Sequence, residues 1–507
     1  MIDYGPLHAR LRGLLPASAI GQLLLTCLVV AGLTTLARLP FVLSPGLSTD
    51  SYAYLQGWPT LEQLFSQGRF GQFLVFKLLG AFAIDPLAFA TLLQGVGLAV
   101  FAFSTPLMFT AFADRRQRRL GATGLAALMV TLHPYSAEIL TFSEASFTAQ
   151  LACAMGVAAI FIVATRPRFW WLAWIMLVAA LSMYQLLINI AALMILLGII
   201  QTYLRAGGSL RGECAAYRPL FYAILVLGGA LVAYLCIHKS LVTALGISEV
   251  GRAGFLPLDK LYLRAQEIVS LGGFLWQRTL LVAYGSAAKG LFWGMVASGW
   301  LLLLLRLLVR PRMGSVLPII AMGLVPAAAM GVIAVGKVWW PAPRVLGGVV
   351  LACAMGIYWV GWFAQGRLGR ALVLVLGGIL LLSFTAVGHR VHSDQLQLNA
   401  FDRLLAQRIY DEMIRTPGYT DQMPVAVVNR RLNWAHSMPL ATAWMDLNLT
   451  AFADKRALKG LLELSNGRTL NHVPAEPGDI EECAKHPAWP DPGFVLKRPE
   501  GGILVCI

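Results

Sequence analysis

Four short groups of polar residues interrupt a chain that is otherwise strongly apolar, and they are where chemistry could occur. Asp50 sits in Ser48-Thr49-Asp50-Ser51-Tyr52, followed by Gly68-Arg69-Phe70 and then Lys77. The second group runs His133-Pro134-Tyr135-Ser136-Ala137-Glu138-Ile139-Leu140-Thr141-Phe142-Ser143-Glu144. The third is Met183-Tyr184-Gln185, and the fourth is Gly336-Lys337-Val338-Trp339-Trp340-Pro341-Ala342-Pro343-Arg344. A carboxylate can take the proton of an acceptor hydroxyl, and arginine or lysine can stabilise a departing phosphate. Together these meet the needs of sugar transfer from a polyprenyl-phosphate donor, in which the sugar must reach water while the lipid tail stays in the bilayer.

In that scheme Asp50 is the base, Glu144 positions acceptor or sugar hydroxyls, and Arg69, Lys77, Lys337 and Arg344 bind the donor phosphate. Tyr184, Gln185, His133 and Glu138 supply further substrate contacts. Each also has a plainer role. Asp50 and Glu144 could be helix caps, and Arg69 and Arg344 could snorkel. Tyr184 and Gln185 could bond between helices, while His133 and Glu138 could simply end a helix. No cluster has metal-ligand spacing, and Asp50 has no second acid beside it, so a divalent cation is unsupported and no cofactor is assigned.

These groups must be held by membrane helices. Of 507 residues 58% are hydrophobic and 13% charged, a balance foreign to a soluble globular protein. Nine long apolar runs begin near residues 17, 86, 147, 186, 220, 291, 316, 345 and 371. Two shorter ones, 121–132 and 169–183, bring the expectation to about eleven membrane segments. The 121–132 run covers only about 18 Å of a roughly 30 Å hydrocarbon core. Polar, non-helical backbone at that depth is tolerated only where protein or water surrounds it. The expectation is a hydrated cavity lined by Asp50, Glu144, Tyr184 and Gln185. Residues 70–84 should form a separate interfacial helix, and Asp85-Pro86 should start the next one.

The net charge of +15 would suggest nucleic acid in a soluble protein. Here sixteen arginines fall in alternate loops, at 10–12, 115–119, 166–168, 205–218, 306–312 and 367–370. That is a positive-inside pattern with the N-terminus cytoplasmic and the C-terminus outside. Residues 1–388 hold 27 basic and 11 acidic residues, whereas 389–507 hold 13 and 14. The division is therefore a transmembrane domain, 1–388, and a small α/β periplasmic domain, 389–507. In the latter, residues 394–414 have helical spacing. Residues 425–428, 494–496 and 503–506 look like strands, the last two a hairpin around Glu500-Gly501-Gly502. Cys483 and Cys506 are its only cysteines, and an oxidising compartment would permit a disulfide between them.

The ordered series Thr49-Asp50, Gly68-Arg69, residues 133–144, Met183-Tyr184-Gln185 and Ala342-Pro343-Arg344 resembles the bacterial and phage membrane glucosyltransferases that modify O-antigen during serotype conversion. Trp489-Pro490 and the final hairpin resemble that family's C-terminal end. The resemblance implies a GT-C type fold and transfer of a polyprenyl-phosphate-linked hexose, often glucose, to a lipid-linked glycan at the periplasmic face of the bacterial inner membrane. It implies inversion at the anomeric carbon. Asp50 matches the acid of the family's first outer loop and Arg69 its Gly-Arg. Glu144 falls where the family commonly has an aspartate after a basic residue, which is absent here. The fold expected is thus all-α and polytopic, GT-C-like, with membrane lipid as a partner and no nucleic acid. A lipid-linked sugar flippase, which should show internal repeats, and a non-catalytic polysaccharide-assembly protein are the competing readings.

Overall fold

The computed structural model describes residues 18–57, 59–113, 120–205, 210–248, 254–277, 286–309, 315–429, 442, 445, 447–498 and 501–507. Arg10, Arg12, the arginines at 115–119, Arg310, Arg312 and Glu500 lie outside these.

In chain order the helices are α1 (Ala19–Ala37), α2 (Leu39–Leu43), α3 (Thr49–Tyr54), α4 (Leu61–Ser66), α5 (Phe70–Ala81), α6 (Ala90–Thr110), α7 (Leu120–Leu132), α8 (Pro134–Glu138), α9 (Ser146–Thr165) and α10 (Trp170–Met183). They continue with α11 (Leu187–Arg205), α12 (Leu210–Ala244), α13 (Leu261–Gln277), α14 (Ser286–Val309), α15 (Val316–Val335), α16 (Gly347–Phe363) and α17 (Gly366–Arg415). The C-terminal residues add α18 (Lys455–Asn466) and α19 (Pro477–Lys485). Among the described residues nine helices are long and apolar enough to cross a membrane, and α5, α7 and the 167–183 segment are shorter apolar helices. The chain is an all-α polytopic membrane protein with a small sheet at its C-terminus.

Burial marks how these helices assemble. α9 packs on α6 and α10, α11 on α15, and α16 on α7 and α14. α7 is buried on nearly every side, which lets so short a helix stop deep in the protein. Its terminal carbonyls are met by Arg38, whose Nη2 donates to Leu132 O at 2.8 Å and His133 O at 3.0 Å. A cation at a helix C-terminus offsets both orphan carbonyls and the negative end of the dipole. Asp85 differs from the expectation. Its Oδ1 accepts from the amides of Leu87 and Ala88, at 2.9 and 2.8 Å, so it closes a turn and the helix begins only at Ala90.

α17 is 50 residues long, about 75 Å. Its first part carries Leu380 and Phe384 in the membrane core, and its last part carries Leu405, Ile409 and Met413 into a second core. That second core contains Phe452, Leu458, Leu461 and the strands β1 (Pro424–Val428) and β4 (Ile503–Cys506), and it also takes in Tyr52 from α3. With β2 (Asn471–His472) and β3 (Val495–Lys497) the sheet order is β2-β1-β4-β3. β1 lies parallel to both β2 and β4, with Val425 opposite Ile503, and β3 pairs antiparallel with β4. Cys483 and Cys506 form a disulfide with Cα atoms 5.4 Å apart, joining α19 to β4.

Candidate active site

The segment between α7 and α9 turns back through buried polar backbone, and it is stitched to the loop before α3. Ser143 Oγ donates to Gly46 O at 2.6 Å, and Gln94 of α6 donates to Ser143 Oγ at 2.9 Å and Leu140 O at 3.1 Å. Ser48 and Ser51 form a reciprocal cap at the start of α3. Ser51 Oγ also donates to Glu144 Oε2 at 2.6 Å. Glu144 is therefore no cap of α9. It is buried against α3, and burial, with the charge of Asp50 next, pushes its carboxyl pKa up to about 7.

Glu138, the last residue of α8, is completely buried. Its Oε1 lies 2.7 Å from Arg344 Nη1, and its Oε2 accepts from the Arg344 amide. A buried carboxylate holding both the backbone and the guanidinium of one arginine fixes that arginine's position. The Arg344 guanidinium also lies 4.3 Å from the centre of the Phe142 ring. Glu138 thus acts through Arg344.

Arg69 precedes α5 on a turn that requires Gly68. Gly68 has φ +72°, and a Cβ there would collide with the Tyr234 hydroxyl of α12. Gln185 fastens the same turn, donating to Gln67 O at 2.9 Å and Tyr234 Oη at 3.0 Å. Burial lowers the Arg69 pKa, and Tyr184, Arg344 and Asp50 are among the charges it senses.

Arg69, Tyr184, Gln185 and Arg344 line a cavity of 570 Å³. Its walls are mostly apolar and include Leu231, Leu235, Val332, Val335 and Phe255, contributed by α12, α15 and the segment before α13. α15 is broken where it faces the cavity: Gly331 has φ 22° and ψ −103°. Asn189 of α11 repairs the break, accepting from the Val332 amide at 3.1 Å and donating to Ala329 O at 3.3 Å. Broken backbone at membrane depth is stable where side chains re-satisfy it in this way. Arg264 of α13 meets the end of α15, donating to Ile333 O at 2.7 Å and Gly336 O at 2.9 Å.

The structure therefore gathers Arg69, Arg344, Tyr184 and Gln185 at the cavity. Asp50 and Glu144 adjoin this group electrostatically, but they do not line the cavity. Glu138 stands behind Arg344. His133 is not brought there: it is buried beside Tyr135, Phe292 and Phe384, and its Nδ1 accepts from the Tyr135 amide. Lys77 and Lys337 lie exposed outside the cavity lining. Among the described residues no group of His, Cys, Asp or Glu could hold a metal ion. Tyr234, Asn189 and His238 also line the cavity. A polar residue inside an apolar run was the available signal for each.

Asp50 has a further partner that sequence reading missed. Arg456 of α18 places Nη2 3.3 Å from Asp50 Oδ1. Nothing in the local sequence around Arg456 points to a residue 406 positions away.

Residues 39–285 match the sequence model of the family described as Glucosyl transferase GtrII. No curated protein matches the chain. The matched stretch contains Asp50, Arg69, Glu138, Glu144, Tyr184 and Gln185, and it ends before Arg344 and α18. With helices suited to crossing a membrane and this match over the part that holds both site acids, the chain is similar to the glucosyl transferase GtrII family over residues 39–285.

Proposed function

We propose that this membrane glucosyltransferase moves glucose or another hexose from a polyprenyl-phosphate donor to a lipid-linked glycan such as O-antigen. The observation that carries the reading is the cavity of 570 Å³ with mostly apolar walls and two arginines in its lining, near the acids Asp50 and Glu144. Apolar walls suit a prenyl chain, and Arg69 and Arg344 suit its phosphate. In this reaction Asp50 takes the proton of the acceptor hydroxyl. The acceptor oxygen bonds to the anomeric carbon as the bond from that carbon to the phosphate oxygen breaks, with inversion. The electron pair leaves on the polyprenyl phosphate, whose charge the arginines stabilise. Glu144, held beside Asp50 through Ser51, positions the acceptor or sugar hydroxyls.

The arginine-rich loops favour a cytoplasmic N-terminus and a periplasmic C-terminal domain, taken as residues 389–507, in the bacterial inner membrane. Exposed Lys77 and Lys337 suit contact with lipid headgroups. Asp50→Asn should abolish transfer from a synthetic polyprenyl-phosphate glucose while membrane levels of the protein stay normal. Full activity in that variant would remove Asp50 from its role, and sugar movement across vesicles without a new linkage would favour a flippase.

A further inference from the structure

The membrane part and the C-terminal part meet at α3, and the contact is tight. α18 crosses α3 so closely that a Cβ on Gly460 would collide with the Tyr52 carbonyl, and the Tyr52 side chain is buried in the C-terminal core. This crossing fixes the start of α18 over Asp50. Asp454 caps α18, accepting from the Arg456 amide at 2.9 Å. Its carboxylate also grips the same guanidinium, taking Nε at 3.0 and 3.1 Å and Nη2 as well. Arg456 is thereby held in one orientation, with Nη2 turned to Asp50 Oδ1 at 3.3 Å. The pair is partly in water, with side-chain exposures of 48% for Arg456 and 24% for Asp50.

Around Asp50 stand Glu144 from the segment before α9, Arg69 from the turn before α5, and Arg456 with Asp454 from α18. Arg456 is the member of this set that the C-terminal part contributes as a cation. We infer that Arg456 is a positioning residue of the transferase: the C-terminal domain uses it to orient the Asp50 carboxylate and to hold it ionised. The inference rests on the reading of Asp50 as the base. It makes the site incomplete without a residue from the far end of the chain, and it couples the seating of α18 to the readiness of the base.

The test is the pH dependence of kcat/KM for the full-length protein in lipid nanodiscs, with a synthetic polyprenyl-phosphate glucose and a lipid-linked glycan acceptor. Losing a partly exposed cation at this distance should lower kcat/KM about two- to fivefold on the acid side. The acid limb should move up by roughly half a pH unit in Arg456→Met. Arg456→Lys should recover most of the shift, and Asp454→Asn, which releases the guanidinium, should give a partial one. A purely structural role would lower expression or activity while leaving the acid limb in place, and an unmoved limb in Arg456→Met would overturn the inference. Asp50→Asn separates the two readings. If it is inactive while Arg456→Met keeps the wild-type limb, the inference alone fails; if it is active, the reading of Asp50 as the base fails.

Discussion

Replacing Glu138 by Gln tests whether Arg344 is held as the geometry indicates. The carboxylate is fully buried, and Arg344 is only 16% exposed, so solvent screens the pair little. Removing one partner of a buried ion pair costs about 3–5 kcal/mol, because the other charge loses its compensation. Glutamine keeps an oxygen able to accept from the Arg344 amide, which puts the expected loss at the lower end, about 3 kcal/mol. That is roughly a hundredfold in the unfolding equilibrium. The assay is denaturant-induced unfolding in mixed micelles, for the wild type, Glu138→Gln, Arg344→Met and the double variant. Because the two residues act as a unit, the double variant should cost less than the sum of the singles by about 2 kcal/mol. The reasoning is refuted if Glu138→Gln lies within about 0.5 kcal/mol of the wild type, or if the two substitutions simply add.

Glu144 makes a prediction about pH. Its folded pKa of about 7 is raised above the ordinary carboxyl value, so the folded state binds the proton more tightly than the unfolded chain does. Stability should therefore fall as pH rises from the ordinary carboxyl range to about 7, and Glu144→Gln should flatten that slope in micelle unfolding. Gly68→Ala places a side chain at φ +72° and against the Tyr234 hydroxyl. It should cost about 1–3 kcal/mol and lower transfer by displacing Arg69; a variant with wild-type activity and stability would show the turn to be pliable. Breaking the bridge between Cys483 and Cys506, 23 residues apart, by Cys→Ser should cost about 3 kcal/mol in the C-terminal part. Protease protection of that part under oxidising and reducing conditions measures it, and equal protection would count against a stabilising bridge.

How much of this was legible in the sequence depended on whether the signal was local. Among the described residues, apolar run length set the nine long helices and the two short ones at 120–132 and 167–183, because every backbone group in a bilayer must be satisfied within its own segment. The shortness of residues 121–132 announced a helix that ends inside the protein. The strands at 425–428 and 503–506 were legible as short apolar runs, whereas the sequence only permitted a bond between Cys483 and Cys506, and the structure makes it. Asp85-Pro86 misled, since the same residues that start a helix can close a turn.

Sequence alone marked Asp50, Arg69, Glu144, Tyr184, Gln185 and Arg344 as polar groups that the membrane part would not carry idly. Tertiary structure decided what each one touches. It joined Glu138 to Arg344 across 206 positions and Arg456 to Asp50 across 406. It left His133 among aromatic rings and Lys77 and Lys337 at the surface. It also set the cavity where α15 breaks and Asn189 mends the break. The physical reason is that a helix fixes its neighbours at three- and four-residue spacing only. Which charge meets which carboxylate is settled by how helices cross, and that depends on packing between residues far apart in the chain.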